Sequence, residues 1–426
     1  MPKSKIRLQR LAKEGFWIVL GQVAAVMGSI IGVRILTGML SPTAYGEIAL
    51  VLIANTLISQ TIFSPMSAGV LRFYSSALEN NDLNKYLKTV LRSLIVVTIG
   101  LVIISFFLAV TKLFIFKQFE WVGILCITLL LSIASGWNVV LSNVQQAARQ
   151  RSIVALHQGM EPWSRLTIAC VIMTWFGKNS FIAITGYLIG VILVLTSQYM
   201  FFRRVVSNQI NLSSRSDGVN WYKKIWNFSW PFTVWGIFTS AQLASDRWAL
   251  GSFATTQDVG LYVPLFQLGY YPISLATGMA MQFLEPIFFQ KAGDGIDSQR
   301  NATVSRMTWN ITFSALGLTG FSCCFAFLFH AQIFQIFVAK EYASVSHLLP
   351  WMMLSGGVFA AGQTISLDMM GKMKIKKIML VKIITALFGI MLNFVGAYCY
   401  GTLGIVIASV LFSISYFLST AVASKY

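Results

Sequence analysis

LGIVIASVLFSISYFLSTAVA, residues 403–423, runs from end to end without a charged side chain. At ~1.5 Å rise per residue a helix of that length reaches about 30 Å, the thickness of a bilayer's hydrocarbon core. Eleven further long apolar stretches precede it, several with a charged residue inside, at residues 15–38, 46–70, 90–111, 121–144, 153–176, 181–202, 226–250, 259–288, 308–329, 347–370 and 378–398. The fold class that follows is an all-α integral membrane protein with twelve transmembrane helices. Composition agrees. The chain of 426 residues is 56% hydrophobic and 11% charged, with a mean hydropathy of +0.70, whereas a soluble surface needs about a quarter charged residues.

A net charge of +18 would suggest nucleic acid in a soluble protein, so the positions of the basic residues decide. Of the 32 Lys and Arg, 25 fall at the N-terminus, in alternate loops and at the C-terminus, among them Lys3, Arg10, Lys85, Arg149, Arg204, Lys224, Arg300 and Lys372. Only Lys112, Lys117, Lys178 and Lys340 fall on the opposite side. This asymmetry is the positive-inside pattern, which predicts both termini in the cytoplasm and no nucleic-acid partner. The basic run KSKIRLQRLAK, residues 3–13, reads as the flank of a retained first helix rather than a secretory signal, because the apolar part is long and contains Arg34. Cys126, Cys170, Cys323, Cys324 and Cys399 lack metal or redox spacing and read as small buried hydrophobes.

The longest polar gap divides the chain into an N-terminal six-helix lobe (1–204), a cytoplasmic linker (205–224) and a C-terminal six-helix lobe (225–426). An internal echo supports duplication: Arg34 precedes a turn with Tyr45 and Gly46, and Arg247 precedes one with Gly260 and Tyr262, the arginines 213 and the glycines 214 positions apart. Six spans per half make the repeats parallel, related by a pseudo-two-fold axis along the membrane normal. A ligand path would run between the lobes.

Charged residues inside spans carry the functional question, because an Arg or Asp at mid-helix costs about 2.5–3.5 kcal/mol on insertion scales. His157, Glu161 and Arg165 follow one another at i, i+4 and i+8 and so share a helix face. Arg34 and Arg247 lie towards the outer ends of their spans, where snorkelling to headgroups competes with a cavity-facing role. Asp246, one residue before Arg247, points about 100° away from it on a helix and needs another partner, with Arg34 a candidate. Asp368, four residues before Lys372, and Glu285 read as interfacial.

Four segments resemble a known family: RILTGMLSPTAYGEIAL (34–50), SDRWALGSFATTQDVGLYVPL (245–265), FVAKEYASVSHLLPWMML (337–354) and NFVGAYCYGTLGIVIASV (393–410). They are similar to the polysaccharide-transporter branch of the multidrug/oligosaccharidyl-lipid/polysaccharide (MOP) exporter superfamily, and within it to Wzx-type O-antigen flippases. The resemblance covers the whole chain but its motifs do not specify the sugar. It implies movement of an undecaprenyl-pyrophosphate-linked oligosaccharide from the cytoplasmic to the periplasmic leaflet by alternating access. It also implies membrane lipids and other polysaccharide-assembly membrane proteins as partners. Coupling to H+ or Na+ stays open, with His157, Glu161 and Asp246 as the groups for coupling or charge pairing. Arg34 and Arg247 match the first- and seventh-helix arginines of the family pattern; Arg165 joins them from its spacing as a third substrate-binding candidate. Guanidinium groups suit this role because they stay protonated and grip phosphate oxygens in pairs.

Two alternatives remain. A drug or cation antiporter of the same architecture would use Glu161 and Asp246. A membrane polymerase or ligase of polysaccharide assembly would carry a sizeable outer loop, and the longest here, about 330–346, is short. No nucleophile triad, P-loop, dinucleotide fingerprint or metal cluster is present in the sequence, so a non-enzyme without cofactor or bound metal is expected.

Overall fold

Within a bilayer no water satisfies main-chain N–H and C=O groups, so a chain this apolar must close its hydrogen bonds inside its own helices. The computed structural model does so: across the described residues (2–114, 119–210, 220–274, 276–277, 280–281, 298–372 and 374–425) there is no β-strand. In chain order the helices are α1 (Pro2–Met39), α2 (Pro42–Glu79), α3 (Leu83–Phe114), α4 (Phe119–Ala147), α5 (Arg151–Phe176) and α6 (Ser180–Ile210). They continue with α7 (Trp221–Phe253), α8 (Thr256–Gly269), α9 (Ser298–Phe337) and α10 (Leu349–Gly371). The last helical run, Ile375–Lys425, bends at Gly401 into α11 (375–400) and α12 (402–425). Gly401 has φ 55°, which a residue with a Cβ rarely adopts. Gly396 and Gly404 face each other across that bend.

Each expected span coincides with one of these helices as far as the chain is described; Glu285 and Pro286 lie outside the described residues. Among the latter, eight helical segments are long and apolar enough to cross a membrane, the final one doubled by the bend at Gly401. α5 and α7 fall short of that standard for a physical reason: they carry Glu161 and Arg165, and Asp246 and Arg247, inside their apolar lengths.

One irregularity was not foreseen. Ser59–Phe63 forms a π-helical turn within α2, closed by an N–H of Ser64 on the carbonyl of Ser59. Pro65 follows at once, and its missing N–H denies the Thr61 carbonyl a partner, so the ladder widens by one residue.

By packing, the chain forms two units: Met1–Gly32 with Val51–Ser240, and Val33–Leu50 with Ala241–Tyr426. The sequence division at 205–224 follows polarity, whereas packing divides α1, α2 and α7 part-way along. In the first unit the start of α7 lies on α2 and α3. Trp221 is fully buried and donates its indole N–H to Asp82 at 2.7 Å, and Phe228 meets Phe73 edge to face at 5.7 Å. Around them Phe63, Val70, Tyr86, Leu94 and Val140 form an apolar core.

In the second unit the end of α1 and the start of α2 lie on α8 and on the connection between α9 and α10. One close approach in this unit is between two glycines. A methyl group on Gly46 would fall against the carbonyl oxygen of Thr256 and 2.9 Å from the nitrogen of Gly260; one on Gly260 would fall against the carbonyl oxygen of Pro42 and 3.1 Å from the nitrogen of Gly46. Each glycine thus meets the carbonyl four residues before the other. The internal echo read from the sequence brings its two glycines into reciprocal contact.

Candidate functional site

α5 positions the first charged group. The 3.6-residue period puts Glu161 one turn before Arg165, and the two form an ion pair with the acid N-terminal, the favourable order. Arg165 also lies 3.4 Å from Ser135 Oγ on α4. Their side chains keep 21% and 26% of their exposure, and pairing of this kind is how charged groups within a span are tolerated. His157, one turn earlier, is buried and turned to α6. Its Nδ1–H donates to the Ile153 carbonyl at 2.8 Å, and Nε2 accepts from Ser197 at 3.1 Å, with Phe201 beside the ring. Both ring nitrogens are therefore occupied away from Glu161.

α7 and α8 position the second group. Asp246 is buried and accepts from the Tyr262 hydroxyl at 2.8 Å, from the main-chain N–H of Arg247 at 2.7 Å and from the Arg247 guanidinium at 3.3 Å. This corrects the expectation that Asp246 turns away from Arg247 and has Arg34 as a candidate partner. The three methylenes of Arg247 let its guanidinium curl round the helix to its short neighbour, while Tyr262 takes the other oxygen. The guanidinium also lies 4.4 Å from the Phe266 ring centroid, a cation–π geometry. Beside Asp246 is a small cavity of about 30 Å³, bounded by Gln242, Tyr262, Tyr270, Asn393 and Ser409, with room for roughly one water-sized occupant.

Arg34 differs from both. Its side chain is exposed, and one guanidinium N–H donates to the carbonyl of Val338. Among the described residues no carboxylate lies within ion-pair distance of it. It lines a cleft of about 630 Å³ together with Gly38, Met39, Gln335 and Lys340. Lys340 at this place had no signal in the sequence, since nothing in a spacing links positions so far apart.

Asp368, near the end of α10, is buried against protein, pairing with Lys372 at 2.7 Å and accepting from Ser305 of α9 at 2.9 Å. One smaller expectation is corrected. Cys126, Cys324 and Cys399 are exposed rather than buried, which costs little where the surrounding medium is apolar. Among the described residues no three metal-ligating side chains come together.

The profile of the family described as "Polysaccharide biosynthesis protein" matches residues 11–291, about two thirds of the chain. The chain belongs to that family. A search of curated proteins finds no match. Among solved structures, this polysaccharide biosynthesis protein is similar to the lipid II flippase MurJ in an inward closed conformation, at 14% identity over 97% of this chain and 88% of that one, TM-score 0.69. It is similar also to an inward-facing multidrug resistance MATE transporter of the MOP superfamily, at 13% identity over 95% and 94%, TM-score 0.66. A MOP-superfamily transporter from Pyrococcus furiosus, described with a binding pocket of reverse polarity that suggests a different function, matches at 14% identity over 96% and 95%, TM-score 0.55. The fold is therefore that of MOP-superfamily transporters, a multi-pass all-α membrane protein of twelve spanning helices in two lobes.

Proposed function

We propose that this member of the polysaccharide biosynthesis family is a flippase for an undecaprenyl-pyrophosphate-linked oligosaccharide, an O-antigen or similar surface-polysaccharide repeat unit. It would carry the headgroup from the cytoplasmic to the periplasmic leaflet of a bacterial inner membrane, by alternating access of the lobes 1–204 and 225–426. The family match over residues 11–291 carries this reading. The likeness to a lipid II flippase and the presence of Arg34, Arg165 and Arg247 within the spans support it, since an anionic headgroup needs cations along its route. The lipid tail stays in the bilayer while the head crosses, and no covalent chemistry is required.

Deleting the gene tests this. Lipid-linked repeat units are expected to accumulate in the inner leaflet, and a reintroduced wild-type copy to restore surface glycan; normal surface glycan in the deletion strain would overturn the reading. A second reading, a cation-coupled antiporter of the same superfamily, draws support from buried Asp246 and the small cavity beside it. It expects Asp246→Asn to abolish cation-driven drug efflux from whole cells.

A further inference from the structure

Of the three arginines within spans, Arg165 is neutralised by Glu161 and Arg247 by Asp246. The third, Arg34, has no carboxylate within ion-pair distance among the described residues, and a second cation, Lys340, lines the same cleft. Lys340 is also one of very few basic residues on the side of the membrane where basic residues are scarce.

The spacing of the two cations is held by main chain. One N–H of Arg34 donates to the Val338 carbonyl, the N–H of Ala339 donates to Thr37 Oγ1 at 3.2 Å, and the Tyr342 hydroxyl donates to the Leu40 carbonyl at 2.9 Å. Residues 338–342 are thus fastened to the last two turns of α1. A guanidinium has five N–H donors, and one is taken, which leaves the others for a ligand. One turn after Arg34 on the same helix the cleft is open: a methyl group on Gly38 would meet nothing within 4 Å.

We infer that Arg34 and Lys340 form a subsite on the outer face for the pyrophosphate of a prenyl-linked headgroup, which the carrier occupies at the end of its passage. This rests on the flippase reading above and adds to it a place for the phosphates and a new ligand-holding residue, Lys340. The fork of Arg34 grips two phosphate oxygens, Lys340 supplies a point charge, and Gln335 can donate an amide N–H at the edge of the cleft.

The test uses the full-length protein in nanodiscs of phosphatidylcholine, with inorganic pyrophosphate and farnesyl pyrophosphate as probes in a calorimetric titration. Arg34→Gln and Lys340→Gln should each weaken binding of both probes by about tenfold or more. Gly38→Phe fills the cleft one turn from Arg34 while leaving both charges in place, and should do the same with the melting temperature unchanged. Lys178→Gln, another outer lysine, should bind like wild type. Affinities that are the same in wild type and all three cleft variants would overturn the subsite. So would nanodiscs containing phosphatidylglycerol abolishing pyrophosphate binding to wild type, since the cleft would then belong to a resident phospholipid. Failure of the flippase reading is seen separately, in the leaflet where repeat units accumulate, and does not depend on these titrations.

Discussion

Arg165 and Glu161 hold each other at a depth where neither is tolerable alone, and this makes the pair's loss asymmetric. Arg165→Ala strands a carboxylate and should lower stability by about 1–3 kcal/mol, since the pair keeps part of its exposure. The double variant Glu161→Gln/Arg165→Gln should recover most of that loss in a thermal melt of detergent-solubilised protein; a double variant as unstable as the single one would show that the pair is not what stabilises α5. Tyr262→Phe removes one of the donors to buried Asp246 and should cost about 1–2 kcal/mol by the same measurement. The spacing of Glu161 and Arg165 could be read from the sequence because a helix has one period. The closeness of Asp246 and Arg247 could not, because it depends on how a long flexible side chain curls, which a helical wheel does not describe. Nor could Lys340 beside Arg34, which needs the corner after α9 to be fastened to α1.

Among the elements, α2 and α8 are tightly constrained at one point. Gly46→Val puts branched carbon where the Thr256 carbonyl lies, and Gly260→Val does so against Pro42, so each should force the starts of the two helices apart. With the native cysteines replaced, a cysteine at the buried Leu40 should label several-fold faster with a membrane-impermeant maleimide in either valine background. Unchanged labelling would mean that the contact yields elsewhere. The apolar length of each span was legible because the bilayer sets it, and so was the paired occurrence of the two glycines. That they touch was not, since a repeat in sequence says nothing of which copies meet. The π turn at Ser59–Phe63 also escaped notice, although Pro65 was there to signal it.

For the whole molecule, topology follows from charge. Reporter fusions at both ends should report the cytoplasm, for example a fluorescent protein that matures only there; activity of a periplasm-dependent enzyme fused at either end would contradict the charge reading. The fold itself was legible from hydropathy and count, because only helices satisfy the backbone in lipid. Its partition by packing was not, since α1 and α7 each give part of their length to the other half of the sequence.

At the crossing of Gly46 and Gly260 peptide group meets peptide group, and the hydrogen bond beside it, from the Tyr45 hydroxyl to Gln267 at 3.2 Å, joins two uncharged side chains. Parting two such surfaces transfers little into or out of water and takes up no proton, so the work of doing it should be nearly indifferent to acidity and ionic strength. A transport cycle that opened there would take any dependence on those conditions from its cargo and its cations, and none from this joint.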